Sequence, residues 1–293
     1  MAYAKYFLSE AKPGLDKKQV KSFIIRALQE DIGTKDITTD LTIPKEASVK
    51  ARIISQEPCI LCGIQLARGI FKSVDPTLKF TPLAKEGSRI RPRQPLAAIS
   101  GAAASILTAE RVALNLLSFL SGIATKTGKF VQQIKPFKAK IIDTRKTLPG
   151  LRFLQKYAVR VGGGYNHRMC LDEMVLIKDN HQKIMGGHFK ILNLPKGHKV
   201  EIEVQDLKEF IRALSFRPDV VMLDNMSTAD IRKAVKIKTR LRVNCQTCLS
   251  LLEASGGINL ANVKKYASTG VDLISIGELT DSVESVDISL DIC

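Results

Sequence analysis

The sequence predicts an α/β protein in which a smaller α+β region precedes an α/β barrel. Two short apolar runs, at residues 141–142 and 175–177, are each followed at once by a cluster of charged side chains. A buried strand that ends abruptly in ionisable groups is typical of an α/β barrel, whose active-site residues lie at the carboxyl ends of its strands. Beyond Gly122, strand-like runs alternate with helical segments, which indicates βαβ units around a parallel sheet.

The region before Gly122 mixes helices and strands. Apolar residues at helical spacing predict a helix over residues 16–31, capped by Asp16 and stopped by Gly33. Strands are predicted at 49–55, 78–83 and 96–99, with helices at 63–74 and 102–120.

The second half of the chain carries repeated strand endings. Each apolar run stops in a polar or glycine-rich turn, near Asp143, Lys178, Val204, Asp224, Ser255 and Gly277. We therefore expect an α+β domain at residues 1–118, a barrel with the active site at 119–276, and a tail at 277–293.

Composition narrows the class of protein. Hydrophobic residues make up 45% of the 293 residues and charged residues 25%, values ordinary for a globular protein. No run approaches the roughly 20 apolar residues of a membrane span, and the first residues lack the apolar core of a signal peptide, so we expect a cytoplasmic protein without membrane partners.

The net charge of +16 leaves a nucleic-acid-binding protein as an alternative. The basic residues are spread along the chain without interleaved aromatic residues, however, which favours no nucleic-acid partner.

Two cysteine pairs have the spacing of metal ligands. Cys59 with Cys62 and Cys245 with Cys248 supply four thiolates of the kind that hold structural zinc. The pairs lie almost the whole chain apart, so small buried or loop cysteines are the favoured interpretation.

The charged residues of the central stretch are mostly cationic. Arginine and lysine donate hydrogen bonds to carboxylate and phosphate oxygens, and arginine donates two at once, so the cluster predicts an anionic substrate. Its basic members are Arg145, Lys146, His167, Arg168 and Lys178, and the hydroxyl residue Thr144 lies among them as a further candidate for substrate binding.

Acidic residues follow on the next two predicted strands. Glu201 and Glu203 alternate with apolar neighbours, so both carboxylates leave one face of a strand, and Asp224 ends the next strand. Carboxylates from adjacent strands suit Mg²⁺, which prefers oxygen ligands while it bridges substrate phosphates. The alternative is that these acids only neutralise the nearby cations.

Two glycine turns late in the chain predict a phosphate site. Ser255, Gly256 and Gly257 end one strand before a helix expected to start near Leu260, and Ile276, Gly277 and Glu278 end the next strand. Glycine lets backbone N–H groups approach a phosphate, and a helix amino terminus favours an anion. Consecutive turns of this kind are typical of the phosphate site of a barrel.

Several blocks of the sequence resemble quinolinate phosphoribosyltransferases. DTRKT, GGG-x-NHR and IKDNH occur in the family's order and spacing, and EDIGTKDITT, AERVALNLL and LEASGG are similar to further family segments. The resemblance spans nearly the whole chain and implies the incomplete, TIM-like barrel of type II phosphoribosyltransferases, after an amino-terminal α+β sandwich and with a tail packed on it. It further implies a homo-oligomer, at least a dimer, that makes nicotinate mononucleotide, pyrophosphate and CO₂ from quinolinate and phosphoribosyl pyrophosphate.

The resemblance also assigns roles to residues. Arg111 lies in the segment whose arginine contacts the substrate carboxylate in the family, although a solvated helix charge is the ordinary interpretation of such a residue. His167 gains a substrate role from its place beside Arg168, against the ordinary interpretation as a satisfied core or loop histidine. Lys146, Glu203 and Asp224 are the expected catalytic residues, Glu203 and Asp224 also being the expected Mg²⁺ ligands and Glu201 a structural support.

Three residues depart from the family pattern. Cys170 replaces the usual glycine after NHR, and Glu278 and Asp281 replace a small residue and a histidine, which places negative charge near the expected phosphate turn. The rival function is a paralogue with the same fold that uses another aromatic acid, in nicotinate salvage or associated with molybdenum transport. A monocarboxylate substrate would leave part of the cationic cluster unpaired.

Overall fold

A computed structural model of the chain describes residues 14–186, 194, 196–244 and 250–293. These residues form two compact units. The first comprises the described residues up to Gly128 together with Phe153–Gly163 and Ser282–Cys293, and the second comprises Lys129–Arg152 and Gly164–Asp281.

The first unit opens with the helix expected from its apolar spacing. Helix α1 (Lys17–Ile32) begins after Asp16, whose side chain accepts a hydrogen bond from the backbone N–H of Gln19 at 2.7 Å, and it ends at Gly33, which has a φ of 59°. Two further helices follow, α2 (Ile37–Thr42) and α3 (Ile64–Val74).

An antiparallel sheet carries the core of the first unit. Its strands are β1 (Ser48–Ser55), β3 (Lys79–Pro82), β5 (Gln94–Ala102) and β12 (Ile288–Ile292), and a separate short pair is formed by β2 (Cys59–Ile60) and β4 (Arg89–Ile90). The strand order of the sheet is β12-β1-β5-β3, so the last described strand pairs with the first.

Helix α4 (Ala103–Gln133) is 31 residues long and continues past the predicted end at residue 120. The expected domain boundary at residue 118 therefore falls inside one uninterrupted helix. An 18-residue stretch of α4 is apolar enough to cross a bilayer by length and composition alone, and 56% of that stretch is buried in the structure. Core helices pass the same test, so no membrane association follows.

The second unit is built on a six-stranded sheet in which every pair is parallel. Its strands are β6 (Lys140–Ile142), β7 (Met174–Ile177), β8 (Lys199–Val204), β9 (Val220–Asp224), β10 (Leu251–Ser255) and β11 (Leu273–Ser275). They lie in the order β6-β11-β10-β9-β8-β7. Among the described residues β6 and β7 do not pair; Tyr165 forms an isolated parallel bridge with Ile142 of β6 instead.

The helices between these strands range from 5 to 17 residues. The helix expected near Leu260 begins at Val263 and has only 5 residues, because the chain first makes hydrogen-bonded turns around Asn259 and Asn262. The helices of this part of the chain are α5 (Arg152–Val161), α6 (Asp179–Ile184), α7 (Leu207–Ser215), α8 (Thr228–Asn244), α9 (Val263–Ala267) and α10 (Glu278–Asp281).

The cysteine pairs do not form a described metal site. Cys59 and Cys62 are buried, free thiols in the first unit. Burial raises the pKa of the Cys62 thiol well above its ordinary value, which keeps it protonated. Cys245 and Cys248 lie outside the described residues.

Candidate active site

The carboxyl ends of the six parallel strands surround one cavity of the second unit, with a volume of about 860 Å³. Parallel strands all end at the same edge of their sheet, so residues distant in sequence meet there. The predicted site residues among its lining are Thr144, Arg145, Lys146, His167, Arg168, Lys178, Glu203, Asp224, Ser255, Gly256, Gly257, Gly277 and Glu278.

Lysine and arginine side chains make one part of the cavity strongly basic. Lys146 is held by its backbone carbonyl, which accepts a hydrogen bond from the hydroxyl of Thr280 at 2.7 Å, and by its N–H, which donates to the hydroxyl of Thr144 at 3.0 Å. The aliphatic part of the Lys146 side chain lies over Gly277: a Cβ at that glycine would come within 3.0 Å of Lys146 Cδ. A larger residue than glycine would therefore displace this lysine.

The NHR segment is tied to the end of β6. Tyr165 donates its N–H to the carbonyl of Ile141 at 2.9 Å, which starts the segment beside the strand. The buried carboxylate of Asp143 then accepts hydrogen bonds from the His167 N–H at 2.9 Å and from the Asn166 side chain. Asp143, the first residue of DTRKT, thus positions the NHR block.

Arg168 projects from this segment into the cavity wall. Its Nη1 donates to the carbonyl of Met174 at 2.8 Å, which fixes part of the guanidinium. Burial, followed by the nearby Arg145, lowers the pKa of Arg168 from its ordinary value. The charges of Arg145 and Arg168 repel each other, so an anionic ligand that binds between the two guanidinium groups would relieve this repulsion.

Glu203 and Asp224 supply the acidic part of the cavity. The side chain of Glu203 is buried, and burial, together with the nearby Asp224, raises the pKa of Glu203. Lys178 acts in the opposite direction. Two neighbouring carboxylates whose charges repel one another form an oxygen-donor set that suits a divalent cation such as Mg²⁺.

The turn after β10 depends on glycine. Gly256 has a φ of 90°, and a Cβ there would lie 2.3 Å from the side-chain oxygen of Asn225. Gly257 has a φ of 61° and no neighbouring atom within 4 Å of a Cβ position, so it faces open space. This conformation leaves room for an anion to approach the backbone.

Ile276, which the sequence predicts for the phosphate site, lies behind the cavity wall. Its side chain is buried, it does not line the cavity, and its N–H donates to the carbonyl of Ile142 at 3.0 Å. The N–H is therefore already used by the sheet. Glu278 and Asp281 do line the cavity, and their negative charges lie on the same side as Gly277.

Arg111 does not line this cavity. It lies on α4 in the first unit with a side chain 65% exposed, 4.0 Å from the carboxylate of Glu110. Its predicted contact with a substrate therefore stays a prediction.

Glu253 lines the cavity but is not among the residues predicted from the sequence. It lies in the middle of β10, its side chain is 1% exposed, and its Oε2 is 4.0 Å from His167 Nε2. The available signal was a charged residue inside the otherwise apolar run of a buried strand. Other lining residues not singled out include Asp179, Asn180, Met222, Asn225, Asn259 and Ser275.

Comparison with known protein families assigns both halves of the chain. Residues 36–121 match the amino-terminal domain of quinolinate phosphoribosyl transferase, and residues 123–291 match its carboxy-terminal domain. The match to two successive domains of one family covers most of the sequence.

Individual relatives agree with this assignment. The chain is 41% identical to a carboxylating nicotinate-nucleotide pyrophosphorylase of Mycobacterium leprae, over 92% of this chain and 95% of the relative. It is 39% identical to a probable enzyme of the same name from Bacillus subtilis, over 94% and 93% of the two chains.

Solved structures show the same fold. The nicotinate-nucleotide pyrophosphorylase of Francisella tularensis superposes with a TM-score of 0.86 at 35% identity, over 97% of this chain and 100% of that one. The human nicotinic acid phosphoribosyltransferase shares the fold alone, with a TM-score of 0.55 at 12% identity over 95% and 74% of the two chains. With both domains matched in order and relatives of this similarity over nearly its full length, the chain belongs to the quinolinate phosphoribosyltransferase family.

Proposed function

We propose that this protein is a quinolinate phosphoribosyltransferase of NAD biosynthesis, a pentosyltransferase that converts quinolinate and phosphoribosyl pyrophosphate to nicotinate mononucleotide, pyrophosphate and CO₂. The observation that carries the proposal is the charge pattern of one cavity. Arg145, Lys146, Arg168 and Lys178 line it together with a pair of carboxylates and two glycine turns.

The charges match the substrates group by group. Quinolinate has two carboxylates, and phosphoribosyl pyrophosphate has a phosphate and a pyrophosphate, so the site must hold several anions close together. The two arginines suit planar carboxylates, because a guanidinium donates two parallel hydrogen bonds. Lys146 and Lys178 suit phosphate oxygens as point charges, and the Gly256–Gly257 turn offers the 5-phosphate a close approach to the backbone.

The chemistry requires positioning more than a protein nucleophile. As pyrophosphate leaves, C1 of the ribose develops positive character, and the pyridine nitrogen of quinolinate forms the new bond to that carbon. Lys146, held over Gly277, stabilises negative charge on the departing group. Once the ring nitrogen is quaternary it accepts the electron pair of the breaking C–C bond, so CO₂ leaves and a solvent-derived proton takes its place.

We propose Mg²⁺ as the metal of this site, held by Glu203 and Asp224. The fit rests on their shared cavity and on the raised pKa of the buried Glu203, which bound positive charge would relieve. When bound, the ion supplies neutralisation of pyrophosphate charge as that group departs. Glu203 and Asp224 orient the sugar and the pyrophosphate in the same step.

We propose further that the working enzyme is at least a dimer. Arg111 is exposed and does not line the cavity of the second unit, yet it lies in a segment that resembles the substrate-binding segment of the family. A second copy of the chain is the partner proposed to bring this arginine to a substrate. Mixing an Arg111→Ala protein with a Lys146→Ala protein tests this, since mixed dimers would regain turnover from one intact site.

The direct test supplies phosphoribosyl pyrophosphate and Mg²⁺ with either quinolinate or nicotinate and follows mononucleotide and CO₂. Product and gas from quinolinate alone support the proposal. Product from nicotinate alone would retain the phosphoribosyl site but replace the aromatic substrate. No product in either tube, with folded protein, would contradict the proposed activity.

A further inference from the structure

The ring nitrogens of His167 are both engaged by the protein. Nδ1 accepts a hydrogen bond from the backbone N–H of Arg168 at 2.8 Å. A backbone N–H only donates, so Nδ1 carries no proton and the proton of the ring lies on Nε2. Nε2 is 2.9 Å from Oε2 of Glu201, and it therefore donates to that carboxylate. The pattern defines one neutral tautomer.

The partner of this histidine belongs to a buried pair of acids. Glu201 on β8 and Glu253 on β10 have side chains 1% exposed, and their ligand-type oxygens and the imidazole nitrogen all lie within 4.8 Å of one another. The second oxygen of each carboxyl, Oε1, is buried without a hydrogen-bond partner among the described residues. Burial of these unpaired carboxyl oxygens costs folding free energy, which suggests that the two acids have a function other than stabilising the fold.

The cluster of His167, Glu201 and Glu253 is linked to the cavity through the backbone of His167 and Arg168. His167 and Arg168 are consecutive, the histidine lines the cavity, and Asp143 holds the His167 N–H from the other side. Rotation of the imidazole would break its bonds to Glu201 and to the Arg168 N–H together. The conformation of the arginine thus depends on an imidazole that two strands hold in place.

We propose that Glu201, buried beside Glu253, is a positioning residue that holds His167 as a neutral imidazole protonated on Nε2. Through His167 it also sets the position of Arg168 in the aromatic-acid site. His167 then contacts the substrate without exchanging a proton with it, since neither nitrogen is available. This inference rests on the proposed function only for the identity of the aromatic acid.

A metal ion held by the same three side chains is the competing interpretation. The positive charge of Arg168 acts on Glu201, which disfavours a second cation in the cluster. The hydrogen bond from the Arg168 N–H also leaves the ring proton on Nε2, the nitrogen that faces the two acids, and a protonated nitrogen does not bind a metal. The observations therefore favour a hydrogen-bonded cluster.

The test is ¹⁵N spectroscopy of the histidine side chains in the full-length protein, combined with steady-state kinetics. The chain has 4 histidines, so a His167→Gln spectrum assigns the resonance of interest. Wild type and Glu201→Gln, whose amide oxygen still accepts, are expected to show Nε2 protonated. In Glu201→Ala the imidazole loses the bond that stops it from rotating away from the Arg168 N–H, so the tautomer mixes. The KM for quinolinate then rises by about tenfold or more from loss of this hydrogen bond. The KM for phosphoribosyl pyrophosphate changes by less than about threefold, because the phosphate turns do not depend on this bond.

The matched control is Asp219→Asn. Asp219 accepts the N–H of Val200 at 2.9 Å, so it braces the amino-terminal end of β8 through the backbone. It should alter neither the tautomer nor the KM for quinolinate. An Nδ1-protonated wild type, an unchanged tautomer in Glu201→Ala, an equal KM effect from Asp219→Asn, or a His167 spectrum that changes with EDTA would each overturn the proposal. The spectrum needs no turnover, so an inactive wild type would refute the proposed function and leave this test intact.

Discussion

Replacement of Glu253 by glutamine should change how the stability of the protein depends on pH. Glu253 has a fully buried side chain on β10, and burial, followed by the charge of Glu201, raises its pKa from 4.5 to about 8. Glutamine has nearly the same shape and remains uncharged at every pH. The substitution therefore removes a titration while it leaves the packing of the strand in place.

The sign follows from proton binding. Between pH 4.5 and about 8 the folded protein holds a proton on Glu253 that the unfolded chain has released. The free energy of unfolding of the wild type therefore falls as pH rises through this window, and the loss is complete above pH 8. At about 1.4 kcal/mol per pH unit, the interval from 4.5 to about 8 amounts to at most about 5 kcal/mol. Glu201 titrates jointly with Glu253, so the two contributions do not add.

Urea unfolding at pH 5, 6, 7, 8 and 9, followed by circular dichroism, measures the effect. The stability of Glu253→Gln relative to wild type should grow between pH 5 and pH 8 and level off above it, by an amount on the order of 3 kcal/mol. Glu30→Gln, on an exposed position of α1, is the control and should follow the wild-type profile. Parallel profiles for wild type and Glu253→Gln would refute the reasoning.

Three further predictions concern single positions. Lys146→Ala and Arg145→Ala should each lower turnover by two orders of magnitude or more, from loss of charge stabilisation, with unchanged circular dichroism; near-normal kcat in both would remove them from the site. Gly256→Ala should destabilise the protein by about 1–3 kcal/mol and raise the KM for phosphoribosyl pyrophosphate, because its φ is 90° and a Cβ would lie 2.3 Å from Asn225. Gly257→Ala is the control for the steric part of this effect, because a Cβ at Gly257 would meet no atom within 4 Å. Asp16→Ala should cost about 1 kcal/mol of stability through loss of the α1 cap and leave kcat unchanged. Thermal melts and activity assays on the same preparation measure both, and an unchanged melting temperature or a lowered kcat would contradict the prediction.

The sequence alone predicted many of the elements and many of the residues that line the cavity. Strand endings near Asp143, Lys178, Asp224 and Ser255 were readable because a short apolar run that stops at a charge or a glycine is typical of a buried strand leaving the core. The cap at Asp16 was readable for a similar local reason. Local signals of this kind need no knowledge of what packs against them.

Tertiary structure decided the features that depend on distant partners. Helix α4 runs on past residue 120 because buried residues such as Phe130 continue its packing, which its own propensity did not reveal. The N–H of Ile276 donates to the carbonyl of Ile142, which is its neighbour only through the β6–β11 pairing. Both outcomes depend on contacts between segments far apart in the chain.

The cluster of His167, Glu201 and Glu253 shows most clearly what the sequence determined and what only the tertiary structure decided. Composition and spacing placed Glu201 on the same strand face as Glu203, but they contained no signal that Glu253 of another strand would lie beside it. Only the parallel order β8-β9-β10 brings the two carboxyls to one imidazole and removes water from them. Residue identity therefore determined which charges are available, and the packing of the strands determined which of them are paired, protonated or presented to a substrate, because burial and distance set those energies.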